Sequence, residues 1–159
     1  MSSVIDYLSE RHLGYIELDH VATATPVDEA HALGLRPSEV AKTIVLDTDR
    51  GHAVAVIPAT RRLDMKLVRE VLGRHARLAD ETEISRDLPG FELGTVPPLG
   101  SLLEVPTYID PEVAEHETVV FAAGTQTASV QMRSVDLIDD RNVRVVRLTK
   151  RSLFSEDAP

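Results

Sequence analysis

Two stretches of the chain carry residue types that an ordinary soluble domain does not need. The first is Val40-Ala41-Lys42-Thr43-Ile44-Val45-Leu46. In an extended chain Lys42 points to the side of Val40, Ile44 and Leu46, the most apolar face of that run. A cation there must reach water or line a pocket, where it can hold a phosphate or a developing oxyanion. The plainer alternative is a lysine near a strand end whose stem lies on apolar surface and whose ammonium snorkels into solvent. The second stretch is Gly90-Phe91-Glu92-Leu93-Gly94-Thr95-Val96-Pro97-Pro98-Leu99-Gly100. Its glycines allow close backbone approach and its prolines stiffen the chain between them. Preformed N–H donors aimed at an oxyanion let acyl-transfer sites gain rate without a side-chain nucleophile. An ordinary surface loop is the alternative.

Three weaker candidates accompany these. Ala122-Ala123-Gly124-Thr125 lies between two strand-like runs, where glycine usually makes only a turn. His20 stands alone, and a lone histidine is more often structural than catalytic. Asp110 precedes Pro111, which reads first as a turn or helix cap.

The absent chemistry narrows the choice. The chain has no cysteine, so disulfides, thiolate catalysis and cysteine-based metal sites are excluded. There is no phosphate-binding P-loop, no G-x-G-x-x-G, no G-x-S-x-G, and no histidine pair at H-E-x-x-H or H-x-H spacing. These gaps point away from a metal and from a serine triad, and no cofactor is expected.

The elements that must position these residues follow from periodicity. Val4 to Leu13 has helical spacing and should end at Gly14. Tyr15 to Leu18 reads as a strand, and Val27 to Leu33 as a helix with Thr25 as cap, Pro26 in its first position and Gly34 as its stop. Val40 to Asp47 and His52 to Ile57 form a hairpin at the centre of the sheet. Asp64 caps a helix that Gly73 ends, a short strand lies near Ala76 to Ala79, and Asp80 caps a helix from Glu81 to Leu88. Pro89 to Gly100 is too rich in breakers for regular structure. Strands are expected at Thr107 to Asp110, Thr118 to Ala122, Thr127 to Met132 and Asn142 to Leu148, with a short helix capped by Ser134. Strands and helices do not alternate strictly, so the fold class is α+β, a mixed and largely antiparallel sheet or barrel flanked by helices. Residues 1–150 are expected to form one domain and residues 151–159 a flexible tail.

With 159 residues, 43% of them hydrophobic and 27% charged, the composition is that of a globular protein. No export signal or membrane span is apparent, and a cytoplasmic location is expected. The net charge of −9 argues against a protein that coats nucleic acid. Two basic segments soften that objection: Arg61, Arg62, Lys66, Arg69, Arg74 and Arg77, and Arg141, Arg144, Arg147, Lys150 and Arg151. Either could form a local patch or a solvated face.

In order, these pieces resemble the YbaK family, also called the prolyl-tRNA editing-domain or aminoacyl-tRNA-synthetase-associated domain family. The resemblance runs from His20 to Val146. It includes His20, Thr25 and Glu29-Ala30, then Val40-Ala41-Lys42-Thr43, Leu63-Asp64 and the Gly90 to Gly100 loop. Val105-Pro106, Tyr108-Ile109-Asp110, Ala123-Gly124 and Asp136-Leu137 complete it. The resemblance implies hydrolysis of the ester joining a mischarged amino acid to the terminal adenosine of a tRNA, by water and without a metal. It implies that Lys42 is the key side chain and that the Gly94 backbone holds the substrate. It also implies substrate-lining positions at His20, Thr25, Thr43, Thr95, Pro98, Gly100, Asp110, Ala122 and Gly124. Thr95 stands where many members have a second glycine, and Ala122 where many have Gly or Ser; both bear on amino-acid specificity. The expected partner is a mischarged tRNA, with a synthetase as a second. A noncatalytic module that holds a tRNA end, a nucleotide or a synthetase is the competing reading, and an esterase or amidase on small aminoacyl conjugates is a third.

Overall fold

The computed structural model describes residues 3–150, so the expected tail at 151–159 lies outside the described residues. The elements are α1 (Ser3–Glu10), β1 (Tyr15–Asp19), α2 (Pro26–Leu33), a 3-10 turn at Pro37–Glu39, β2 (Ala41–Thr48), β3 (Gly51–Pro58), α3 (Met65–Leu72), β4 (Arg77–Leu78) and α4 (Glu81–Asp87). They continue with α5 (Gly100–Leu103), β5 (Thr107–Ile109), α6 (Pro111–Ala114), β6 (Thr118–Ala122), β7 (Ala128–Arg133), α7 (Ser134–Ile138) and β8 (Val143–Val145).

The β2–β3 hairpin is closed by Thr48, whose Oγ1 donates to the Gly51 carbonyl at 2.8 Å and accepts from Arg50 N at 3.1 Å. It lies within a five-stranded sheet of order β4-β2-β3-β5-β8. β2 is antiparallel to β3 and β4, whereas β3, β5 and β8 run parallel. A second, antiparallel sheet has the order β1-β7-β6. The expected sheet or barrel is thus two open sheets, which meet at a parallel bridge between Val40 and Val120.

The shared core explains how two sheets make one fold. Ala41, Val56 and Ile109 of the larger sheet pack with Val119, Phe121, Val130 and Met132 of the smaller, and α1 adds Val4 and Leu8. The opposite face of the larger sheet presents Leu46, Ala55 and Ile57 to Val68 of α3. α2 covers Val40 and Val120 through Ala30.

The expected caps form where side chains can reach amides. Thr25, Asp64 and Asp80 accept from Asp28 N, Lys66 N and Glu83 N, and Gly34 takes the left-handed conformation after α2. Three local expectations are corrected. α1 stops at Glu10, and His12 (φ 57), rather than Gly14, makes the left-handed exit, with Leu13 N bonding back to the Leu8 carbonyl at 3.0 Å. Ser134 is the first residue of α7 instead of its cap, because its hydroxyl is drawn off to the His116 carbonyl. α5, four residues long, was not anticipated, whereas α6 begins where Asp110 reads as a cap, its side chain accepting from Glu112 N.

Candidate active site

β2 is covered by β4 only at Leu46 and Asp47, so the edge of its first half is free. A cavity of about 410 Å³ lies along that edge. Thr43, Ile44 and Val45 form one wall, Ile84 and Ser85 of α4 a second, and Phe91, Leu93, Gly94 and Val96 a third. The lining is largely apolar, with Thr43, Ser85, Glu81 and Glu92 as its polar members. Thr43 Oγ1 is buried without a hydrogen-bond partner, as is Thr60 Oγ1 outside the cavity.

The glycine loop is held in shape from three sides. Gly94 (φ 76) takes a conformation that favours glycine, and a Cβ there would lie 2.5 Å from the Ala24 carbonyl oxygen. Thr95 is buried, and both its N–H and its hydroxyl reach the Glu92 carbonyl, at 3.1 and 2.7 Å. A threonine at this position therefore tightens the loop. Gln126 ties the loop to the β6–β7 turn: its N–H donates to Glu92 Oε1 at 2.7 Å and its side-chain amide to the Leu93 carbonyl at 3.0 Å. Thr23 N donates to the Gln126 carbonyl, which fastens the β1–α2 loop to the same point.

Lys42 is half-buried and pairs across the strand with Ile57. It shares its face with Val40, beneath α2, and with Ile44, beneath α3, so it emerges between the footprints of the two helices. Burial lowers its pKa, and the neighbouring Arg62 charge lowers it further. Lys42 is not among the residues lining the 410 Å³ cavity, but it immediately precedes Thr43, which is. Its alternation with Thr43 sends the two side chains to opposite faces of β2.

His20 is built into a buried chain. Its Nε2 lies 2.8 Å from Ser129 Oγ, Ser129 hydrogen-bonds Glu29 Oε2, and His20 Nδ1 lies 2.7 Å from the Val21 carbonyl. That carbonyl can only accept, so Nδ1 carries a proton. Ser129 has one proton to give, to Glu29 when the carboxyl is ionised or to Nε2 when it is not. Burial raises the Glu29 pKa, against the opposing pull of Ser129 and His20.

Of the expected site residues, Thr43 and Gly94 line the 410 Å³ cavity together, and Thr95 braces the loop beside them. Asp110 does not join them: it is fully buried, its Oδ1 accepts from Glu112 N, and its Oδ2 accepts from Leu148 N, Thr149 N and Thr149 Oγ1. Pro98 lines a separate cavity beside α1, and a Cβ on Gly100 would collide with Thr107. Among the described residues no group of three or more His, Asp or Glu side chains converges to hold a metal ion. The Gln126–Glu92 clamp, the α4 wall and the Glu29–Ser129 link were not read from sequence. The only signal for the last was a glutamate beside Ala30 on an inward helix face.

A model of the aminoacyl-tRNA editing domain family matches residues 20–139. The chain is 23% identical over 123 residues to EbsC of Enterococcus faecalis, named as a candidate Cys-tRNA(Pro)/Cys-tRNA(Cys) deacylase, covering 77% of this chain and 75% of that protein. It is 24% identical over 117 residues to the uncharacterised YwhH of Bacillus subtilis, covering 73% and 74%. It is also similar to the crystal structure of a candidate trans-editing enzyme for prolyl-tRNA synthetase, with a TM-score of 0.81 and 26% identity over 94% of this chain and 96% of that one.

Proposed function

Because the chain belongs to the aminoacyl-tRNA editing domain family, we propose that it is a trans-acting deacylase that hydrolyses the ester of a mischarged tRNA. The observation that supports this reading is the preformed Gly94 loop, held close to Ala24 and tied to Gln126, at the mouth of a largely apolar cavity that Thr43, the residue after Lys42, also lines. The amino-acid side chain would enter the cavity, and the loop would position the ester and the terminal ribose. Water attacks the acyl carbon and gives up a proton to solvent, the negative charge that grows on the carbonyl oxygen would be met by the Lys42 ammonium and loop amides, and the bond to the ribose oxygen breaks as that oxygen takes up a proton from solvent. The products are a free amino acid and an uncharged tRNA. Nothing in this step needs a protein nucleophile.

The noncatalytic alternative draws support from the position of Lys42 outside the cavity lining. One experiment separates the two. The protein is incubated with a panel of charged tRNAs, including the Cys-tRNA(Pro) and Cys-tRNA(Cys) suggested by the relative's name, and release of free amino acid is followed in single turnover. Release above the spontaneous rate from at least one member is expected. Tight binding without release from any member would favour the noncatalytic module.

A further inference from the structure

At the end of the larger sheet remote from the cavity, a second groove of about 650 Å³ opens where β5 and β8 begin. Arg11, Arg141 and Arg144 line it, and all three are exposed. Three arginines elsewhere are committed to carboxylates: Arg61 to Glu112, Arg77 to Asp47 and Glu83, and Arg86 to Asp87. The three groove arginines form no such pair among the described residues. Arg11 is instead held by stacking, its guanidinium 4.4 Å from the centre of the Tyr7 ring, which leaves its N–H edges open.

The floor of the groove is fixed. Ser101 Oγ donates to Asp140 Oδ1 at 2.7 Å, Asn142 N donates to the same oxygen at 2.8 Å, and Asn142 Nδ2 reaches Ser101 Oγ at 3.1 Å. Asp140 anchors these two groove residues from the adjoining cavity, and Glu104 is the acidic residue among those lining the groove itself. A chain of net charge −9 has thus gathered three unspent arginines in one concavity. Arg11 and Arg141 also border the adjoining cavity on the α7 side, which Asp136, Asp139 and Asp140 line, so a polyanion would be steered away from that side and toward Arg144.

We infer that this groove binds the phosphate backbone of an RNA. The inference rests on the deacylase reading for the identity of the RNA: three strand spacings of about 4.8 Å separate β2 from β8, so a tRNA with its 3′ end at the cavity can lay stem phosphates here. The loop and helix from Phe91 to Glu104 run from one site to the other, with Gly94 at the cavity and Ser101 at the groove.

The test measures binding of a fluorescent RNA hairpin with a single-stranded 3′ CCA end, which needs no catalysis. Three phosphate contacts predict an affinity that falls roughly 40-fold between 50 and 200 mM salt. Arg11→Ala, Arg141→Ala and Arg144→Ala combined should abolish most of that dependence, and Arg144→Ala alone should reduce the log–log slope by about 1. Arg144→Lys should retain most of it, and Arg50→Ala, at the hairpin turn, should change nothing. Absence of wild-type binding at 50 mM salt overturns the inference, as does an unchanged slope in the folded triple variant or an equal loss in Arg50→Ala. Groove-dependent hairpin binding with no release of amino acid from any charged tRNA would leave this inference standing and remove the deacylase reading. Release with a groove-independent slope would do the reverse.

Discussion

Lys42 and Glu29 are both charged types placed where burial opposes charge, yet the two should behave differently when removed. The Lys42 ammonium is desolvated and repelled by Arg62, so Lys42→Ala should leave thermal stability unchanged or slightly raised. Its deacylation rate should fall about 10²- to 10³-fold, the usual effect of removing one preorganised group from an acyl-transfer site. Lys42→Arg should recover part of the rate, since charge is kept and shape is not. Single-turnover hydrolysis beside a melt for each variant checks both halves, and near-wild-type hydrolysis by a folded Lys42→Ala protein would take Lys42 out of the mechanism. Glu29 is held in place by Ser129. Glu29→Gln keeps that hydrogen bond and should be tolerated, whereas Glu29→Ala strands buried polar atoms and should cost about 1–3 kcal/mol. Because the folded pKa of Glu29 is raised, its contribution is present below the usual carboxyl range and is lost as pH rises through the folded value. Denaturant melts across pH 4 to 8 should show that loss in the wild type and not in Glu29→Gln. Lys42 was legible in the sequence because a charge broke an apolar alternation. The Glu29–Ser129 contact was not, because it joins positions 100 residues apart and neither is anomalous alone.

At the scale of elements, α4 forms a wall of the cavity and is held by two ties of different character. Arg77 bonds Glu83 through two nitrogens, and Glu83 is held at a pKa of about 2, so this tie is insensitive to pH near neutrality. The other tie joins His52 Nε2 to Asp87 Oδ2 at 2.7 Å, at the far end of the helix. The carboxylate of Asp87 raises the His52 pKa, and burial opposes it only in part. A histidine with a raised folded pKa contributes stability that is fully present below its ordinary value of about 6.5 and is lost as pH rises through the folded value. Asp87 has a depressed pKa, so its side of the pair fails only in strong acid. Amide protection at Ile84 to Leu88, corrected for intrinsic exchange, should therefore decline between pH 6 and 9 in the wild type. It should be lower and flat in His52→Gln, and equal declines in both proteins would show that the pair does not hold the helix. The cap, Asp80, and the extent of α4 were readable from local spacing. Its role as a wall was not, since that depends on Asp47, Asp87 and His52 meeting across elements.

For the whole molecule, the division into two sheets was the feature least accessible to sequence. Alternation identifies strands but not their partners, and β1 pairs with β7 while β3 pairs with β5. The parallel pairs in the larger sheet follow from connections too long to be read as hairpins. That arrangement also decides where the histidines go. His20 is committed to Ser129 and Val21, His52 to Asp87 and Leu46, and His75 to Asp49. Each lies on a different part of the fold, and no three metal-type donors converge among the described residues. With no cysteine in the chain, hydrolysis should depend on Lys42, the Gly94 loop and water alone. Deacylation should thus survive exhaustive treatment with EDTA and with a chelator selective for transition metals, within the scatter of replicate preparations. Alkylation with iodoacetamide at neutral pH should also leave it intact, since there is no thiol to modify. The protein should be treated and freed of chelator before the charged tRNA is added, because stripping magnesium from tRNA would otherwise lower the rate through the RNA. Under that control, loss of turnover that zinc or another divalent ion restores would show that a metal completes the site.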